Sequence, residues 1–88
     1  MRGGEQLKAI IDSGVVAVVR TSTPHELVSI CTAVARGGVV GIEITMTSPG
    51  ALEAIREAAS ELEGKAIIGA GSVLDSETAR SCILAGAD

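Results

Sequence analysis

Hydrophobic and polar positions along the chain form one pattern written three times: a short β-branched run, a small-residue turn, an amphipathic stretch with apolar residues three and four apart, then glycine. Val15-Val16-Ala17-Val18-Val19-Arg20 reads as the first strand, with Thr21-Ser22 as its loop. The helix that follows opens at Thr23-Pro24-His25-Glu26, a capping box with Pro at the first helical position. It turns Leu27, Ile30, Cys31 and Val34 inward and ends at Gly37-Gly38, where positive φ is needed. The second strand is Val39-Val40-Gly41-Ile42-Glu43-Ile44-Thr45. Ser48-Pro49 then caps a helix that carries Leu52, Ile55, Ala59 and Leu62 and closes near Gly64. The third unit runs from Lys65 through Ala66-Ile67-Ile68-Gly69-Ala70 into Gly71-Ser72-Val73-Leu74, then a helix from Asp75 or Ser76 through Ala79, Cys82 and Ile83 to Gly86. Ahead of all three, residues 5–13 read as a helix with Leu7, Ile10 and Ile11 apolar.

Strand starts at positions 15, 39 and 65 lie 24 and 26 residues apart, the spacing of successive β/α units. Because each crossover is a helix, the strands are parallel and the fold class is α/β. The same period places a fourth strand near residue 88, where the chain stops. Three parallel strands leave two open edges. The expectation is therefore a single partial domain, residues 1–88, truncated before its fourth strand, which either belongs to a longer barrel or completes itself by oligomerising.

Composition narrows the function classes. With 88 residues, 47% of them hydrophobic, the chain has the size of one small domain with a thin core. Seven basic against eleven acidic residues give a net charge of −4, without a Lys/Arg cluster to neutralise phosphates, which argues against a nucleic-acid partner. Phe, Trp and Tyr are absent, which removes base-stacking platforms and the usual anchors of a binding hot spot. Cys31 and Cys82 lie far apart without a CxxC, and His25 is the only histidine, so no metal site and no redox pair is indicated. Both cysteines read as small core hydrophobes and His25 as an exposed residue of a first helical turn. The N-terminus lacks an apolar signal region, and runs such as Val15 to Val19 are too short to span a bilayer. These features describe a soluble, cytoplasmic protein with no membrane partner.

Glu43 is the residue that the strand pattern does not explain. A carboxylate between Ile42 and Ile44 costs several kcal/mol to desolvate unless it is paired or sits in a cleft. It reads either as a strand-end ion pair with a neighbouring Arg or Lys, or as an acid or base. Arg20, Thr45 and Ser72 gather with it at or just beyond the C-terminal ends of their strands, the face where parallel α/β folds place their sites.

The Val-Val-Ala-Val-Val-Arg run, the Gly-Gly-Val-Val-Gly-Ile-Glu-Ile-Thr strand, the Ala-Leu-Glu-Ala-Ile-Arg helix and the Ile-Ile-Gly-Ala-Gly-Ser-Val-Leu loop, in this order and spacing, resemble the first three units of the 2-keto-3-deoxy-6-phosphogluconate / 4-hydroxy-2-oxoglutarate aldolase family. The resemblance implies a (β/α)8 TIM barrel, usually a homotrimer, and a class I lyase. Such an enzyme cleaves a keto acid to pyruvate and an aldehyde through a lysine Schiff base, without a metal or other cofactor. It implies that Glu43 is the catalytic proton carrier and that Arg20, Gly71 and Ser72 hold the pyruvate carboxylate, on the rim that Thr45 shares. Arg offers a bidentate fork, and glycine lets backbone N–H groups approach closely. Ser72 stands where the family usually has Thr, and Thr47 where some members carry an Arg, so Thr47 is included among the substrate-binding positions. The Schiff-base lysine lies on a later strand in this family. The lysines present, Lys8 in the N-terminal helix and Lys65 at the start of the third strand, are both remote from Glu43, so the resemblance implies an isolated chain without aldolase activity. Two further readings fit the residues: a small-anion-binding α/β module, and a half-barrel fragment that self-associates through its strand edges.

Overall fold

The computed structural model describes residues 3–88 and has the expected alternation of helices and strands: α1 (Gly3–Ser13), β1 (Val16–Val19), a 3-10 turn (Pro24–Glu26) leading into α2 (Leu27–Arg36), β2 (Gly41–Thr45), α3 (Ala51–Glu61), β3 (Ile67–Gly71) and α4 (Ser76–Ala85). The strands form one parallel sheet in the order β1-β2-β3. Val18 stands opposite Glu43, and Glu43 opposite Gly69. Among the described residues no helix is long and apolar enough to cross a membrane.

Side chains alternate across a strand, so the sheet has two unlike faces. Val19, Ile42, Ile44 and Ile68 point to one of them and are buried against Leu27, Cys31, Ile55 and Cys82 of the helices. The other face carries Val16, Val18, Gly41, Glu43, Gly69 and Gly71. Its N-terminal end is covered where Ile10 of α1 packs so close to Gly41 that a Cβ there would meet it at 3.3 Å, and Thr45, at the C-terminal end of β2 on this face, is buried as well. On the edge strand β1, Val16 and Val18 are exposed, at 44% and 58%. Cys31 and Cys82 are free, buried thiols whose pKa values burial pushes up, in keeping with a packing role.

Several local expectations are corrected, each where a backbone or side-chain group is engaged elsewhere. β2 begins at Gly41 and not at Val39, since the Val39 amide bonds back to Val34 O at the end of α2. β3 begins at Ile67, because the Lys65 and Ala66 amides both bond to Leu62 O and close the end of α3. Lys65 therefore sits in a turn. The Thr23 capping box does not form: Glu26 N bonds to Thr23 O in a tight 3-10 turn, and α2 starts after it without a side-chain cap. Ser48 does not cap α3 either. That helix starts from Gly50, whose φ of 70° is the left-handed conformation that glycine adopts without penalty.

At α4 the sequence signals hold. Asp75 accepts from Thr78 N at 2.7 Å, a bond that holds its carboxyl below the ordinary range, and Gly86 ends the helix at φ 116°. Ile83, however, faces outward at 63% exposure, because α4 packs against its neighbours through Cys82 and Ala85. Leu7 and Ile11 of α1 are also exposed, whereas Ile10 of that trio packs on Gly41 of the sheet. After α4, Ala87 is buried and Asp88 N donates to Ile68 O at 2.8 Å, on the edge of β3 away from β2.

Candidate active site

Glu43 lies at the middle of β2, the central strand, on the sheet face that the helices leave open. Ile42 and Ile44, its neighbours in sequence, turn the opposite way and are buried, so strand alternation delivers the charge to the open side without burying it in the core. The side chain then leans toward the C-terminal end of β3 and lies over Gly71. A Cβ built on Gly71 would collide with Glu43 Oε2 and stand 2.6 Å from Cδ and 2.9 Å from Cγ. Only glycine leaves this bed. Gly71 is not among the residues with positive φ, so the requirement is one of space and not of backbone conformation.

The next residue, Ser72, is exposed and has φ 58°, the one non-glycine residue in the left-handed region among those described. Such a conformation costs a non-glycine residue roughly 1–2 kcal/mol. It follows directly on the Glu43 bed, so the strained peptide borders the carboxylate.

Thr45 ends β2 and is 1% exposed. Its hydroxyl accepts from Thr47 Oγ1 at 3.2 Å and shares a hydrogen bond of 3.2 Å with Ser48 Oγ. Ser48 Oγ also accepts from Thr21 N at 3.3 Å. Met46 N continues the β2–β3 ladder by donating to Gly71 O at 2.8 Å. The ends of all three strands are thus tied together by hydrogen bonds. Arg20 is exposed and one step beyond the last β1–β2 pair, Val19 with Ile44, which brings it level with Thr45.

The rim residues therefore fall into two sets. Glu43 and Gly71 touch, with Ser72 adjoining, and Thr45 and Thr47 form a hydroxyl cluster; Arg20 borders that cluster through Thr21. Ser48 and Thr21 belong to the same cluster, although Ser-Pro looked like a helix start. The Thr-x-Thr-Ser run that begins with the last residue of β2 is its sequence signal. Lys8 is on α1, paired with Asp12 at 2.9 Å, and Lys65 is at the other end of β3, roughly 20 Å from its rim at about 3.3 Å per residue. Among the described residues no three His, Cys, Asp or Glu side chains lie together as metal ligands would. A groove of about 850 Å³ lined by Gln6, Val40, Lys65 and Ile67 opens at that same N-terminal end, away from Glu43.

A parallel sheet with crossover helices and an acidic side chain seated on glycine near its C-terminal rim defines the class of β/α-repeat proteins that carry their polar groups at that end. Residues 7–88 match the family model described as "Aldolase: KDPG and KHG aldolase", and the chain belongs to that family. Among solved structures it is similar to a chain of a "cube-shaped, highly porous protein cage designed by fusing symmetric oligomeric domains", with a TM-score of 0.76 and 32% identity. The match covers 82% of this chain and 27% of that one, so this chain spans about a quarter of the length of its solved neighbour. No curated protein matches it.

Proposed function

We propose that the chain supplies the first three β/α units of a (β/α)8 barrel aldolase that cleaves 2-keto-3-deoxy-6-phosphogluconate or 4-hydroxy-2-oxoglutarate to pyruvate and an aldehyde by class I chemistry. The observation that carries the reading is the seating of Glu43 over Gly71 at the open sheet face. Carbinolamine formation, dehydration and carbon–carbon cleavage each need a proton moved, and Glu43 is the group on this rim able to take and return one. We assign the substrate carboxylate to Arg20, whose fork suits it bidentately, with Ser72, the backbone beside Gly71, Thr45 and Thr47 as the other substrate-binding positions. The lysine that forms the Schiff base comes from a later strand of the complete protein. The open edge of β1 and the exposed Val16 and Val18 are what such a barrel would cover. The complete enzyme is proposed to be a cytoplasmic homotrimer, the two unpaired buried thiols being suited to a reducing compartment.

Borohydride reduction in the presence of pyruvate tests the assignment. The complete protein is expected to gain a covalent pyruvyl adduct on one lysine, read by mass spectrometry, and the 88-residue chain alone is expected to gain none. An adduct on Lys8 or Lys65 of the isolated chain would contradict the division of labour.

Gly71→Ala gives a second check. The new Cβ forces the Glu43 carboxylate off its bed, and the backbone there already suits alanine. Exchanging a strand glycine for alanine favours folding by about 0.5–1 kcal/mol, which offsets the strain of moving a flexible side chain. The melting temperature is therefore expected to stay within a few degrees, roughly the effect of 1 kcal/mol, while kcat of the complete enzyme falls on the order of a hundredfold from misplacement of the proton carrier. Loss of folding together with activity would show that Gly71 serves the sheet and not the site.

A further inference from the structure

We propose that Ser48 is a positioning residue for this reaction, holding the Arg20 loop in register with the strand that carries Glu43; the proposal rests on the aldolase reading above. Ser48 is 4% exposed, yet its hydroxyl does not serve the helix it precedes. It accepts the backbone N–H of Thr21, 27 residues away, at 3.3 Å and bonds the Thr45 hydroxyl at 3.2 Å. Thr21 is the residue after Arg20, and Thr45 is two residues after Glu43 on the same face of β2. One buried oxygen therefore joins the two segments that bear the carboxylate-binding arginine and the proton carrier.

The neighbouring bonds make this oxygen a hub. Ser48 N bonds to Thr45 O at 3.0 Å, which folds the turn back onto the strand end. Thr21 Oγ1 accepts from Thr23 N at 3.1 Å, which shapes the loop locally without reaching β2. The Arg20 loop is thus internally ordered by Thr21 and placed against β2 by Ser48. A buried acceptor removed from such a chain leaves the Thr21 N–H without its partner, and the loop is then free to shift relative to Glu43.

A residue that acts only through Arg20 has a recognisable kinetic signature. In the complete enzyme, Ser48→Ala is expected to raise KM for the keto acid about tenfold, the scale of one hydrogen bond, with kcat changed by less than about threefold. Ser48→Thr, which keeps the hydroxyl, is expected to restore KM. Added to Arg20→Ala, Ser48→Ala should produce no further loss, because the loop it places no longer carries the group that binds. Amide hydrogen exchange gives a readout independent of catalysis: in Ser48→Ala the Thr21 amide should exchange about tenfold faster while the amide of buried Ile55 is unchanged. Should Ser48→Ala fail to fold, Ser48→Cys preserves shape with a weak acceptor and is expected to give the same Thr21 exchange and KM shifts.

Additive effects of Ser48→Ala and Arg20→Ala, or an unchanged Thr21 exchange rate, would overturn the proposal. If the complete protein turns over neither keto acid, the aldolase reading fails. The exchange measurement then still decides whether Ser48 holds the Arg20 loop.

Discussion

Replacing Glu43 by Gln is expected to lower kcat of the complete enzyme by about 10²- to 10⁴-fold, the range attributable to a positioned general acid–base group. Gln has the length and volume of Glu and is seated over Gly71 in the same way, so the circular dichroism spectrum and the thermal midpoint should be unchanged. The loss would then be one of proton transfer and not of shape. Glu43→Asp sharpens the test, because it keeps the carboxylate but withdraws it by one methylene from the Gly71 bed. Activity between that of Glu and Gln is expected. The two substitutions separate the charge from its position, which a single alanine would confound. Turnover within threefold of the unsubstituted enzyme in Glu43→Gln would mean that Glu43 is a strand-end charge tolerated on an open face, and the mechanism would need another proton carrier.

The sequence exposed the features whose physics is local. Asp75 caps α4 because its oxygen reaches an amide three residues on, and Gly86 ends the same helix because no side chain opposes its positive φ. The apolar periodicity likewise marked Leu27, Cys31 and Ile55 as core. Some expectations fail because a local amide closes a helix end, as at Val39 and Lys65, and others because a partner distant in sequence has the stronger claim. Ser48 matches the signature of a helix cap, but Thr21 and Thr45 compete for its hydroxyl, and the first of them is 27 residues away. Ile83 has the right spacing for an inward position on α4, yet what it faces depends on elements beyond that helix. The site shows the same division. Glu43 was legible because a charge interrupts an apolar run, whereas the role of Gly71 in seating it depends on strand register and on the lean of one side chain. Neither is written in the spacing. The hydroxyl cluster of Thr45, Thr47 and Ser48 is intermediate: its residues lie within four positions of one another, but only the fold shows that Thr45 and Ser48 are buried.

Ile55→Ala is expected to be the most damaging single substitution for stability, at about 2–5 kcal/mol. Helix α3 buries Ala51, Ala54, Ile55 and Ala58, so Ile55 is its only large fully buried side chain, with Leu52 packed beside it at the edge of the core. It is fully buried, and α3 packs against both β2 and β3 as well as the helices on either side. With no aromatic residue anywhere in the chain, no larger neighbour is at hand to collapse into the space left behind. A chain of 88 residues has a total stability of roughly 4–13 kcal/mol, so this one change removes a large share of it. Urea denaturation followed by circular dichroism should show the midpoint falling by more than about 1 M, given a slope of about 1–3 kcal/mol per molar for small domains. Ile55→Val, which removes one methylene, should cost only about 0.5–1.5 kcal/mol. Ile83→Ala, although it deletes the same atoms from a neighbouring helix, should be nearly neutral because that side chain is already in water. If Ile55→Ala and Ile83→Ala cost the same, α3 does not hold the helical layer to the sheet as described.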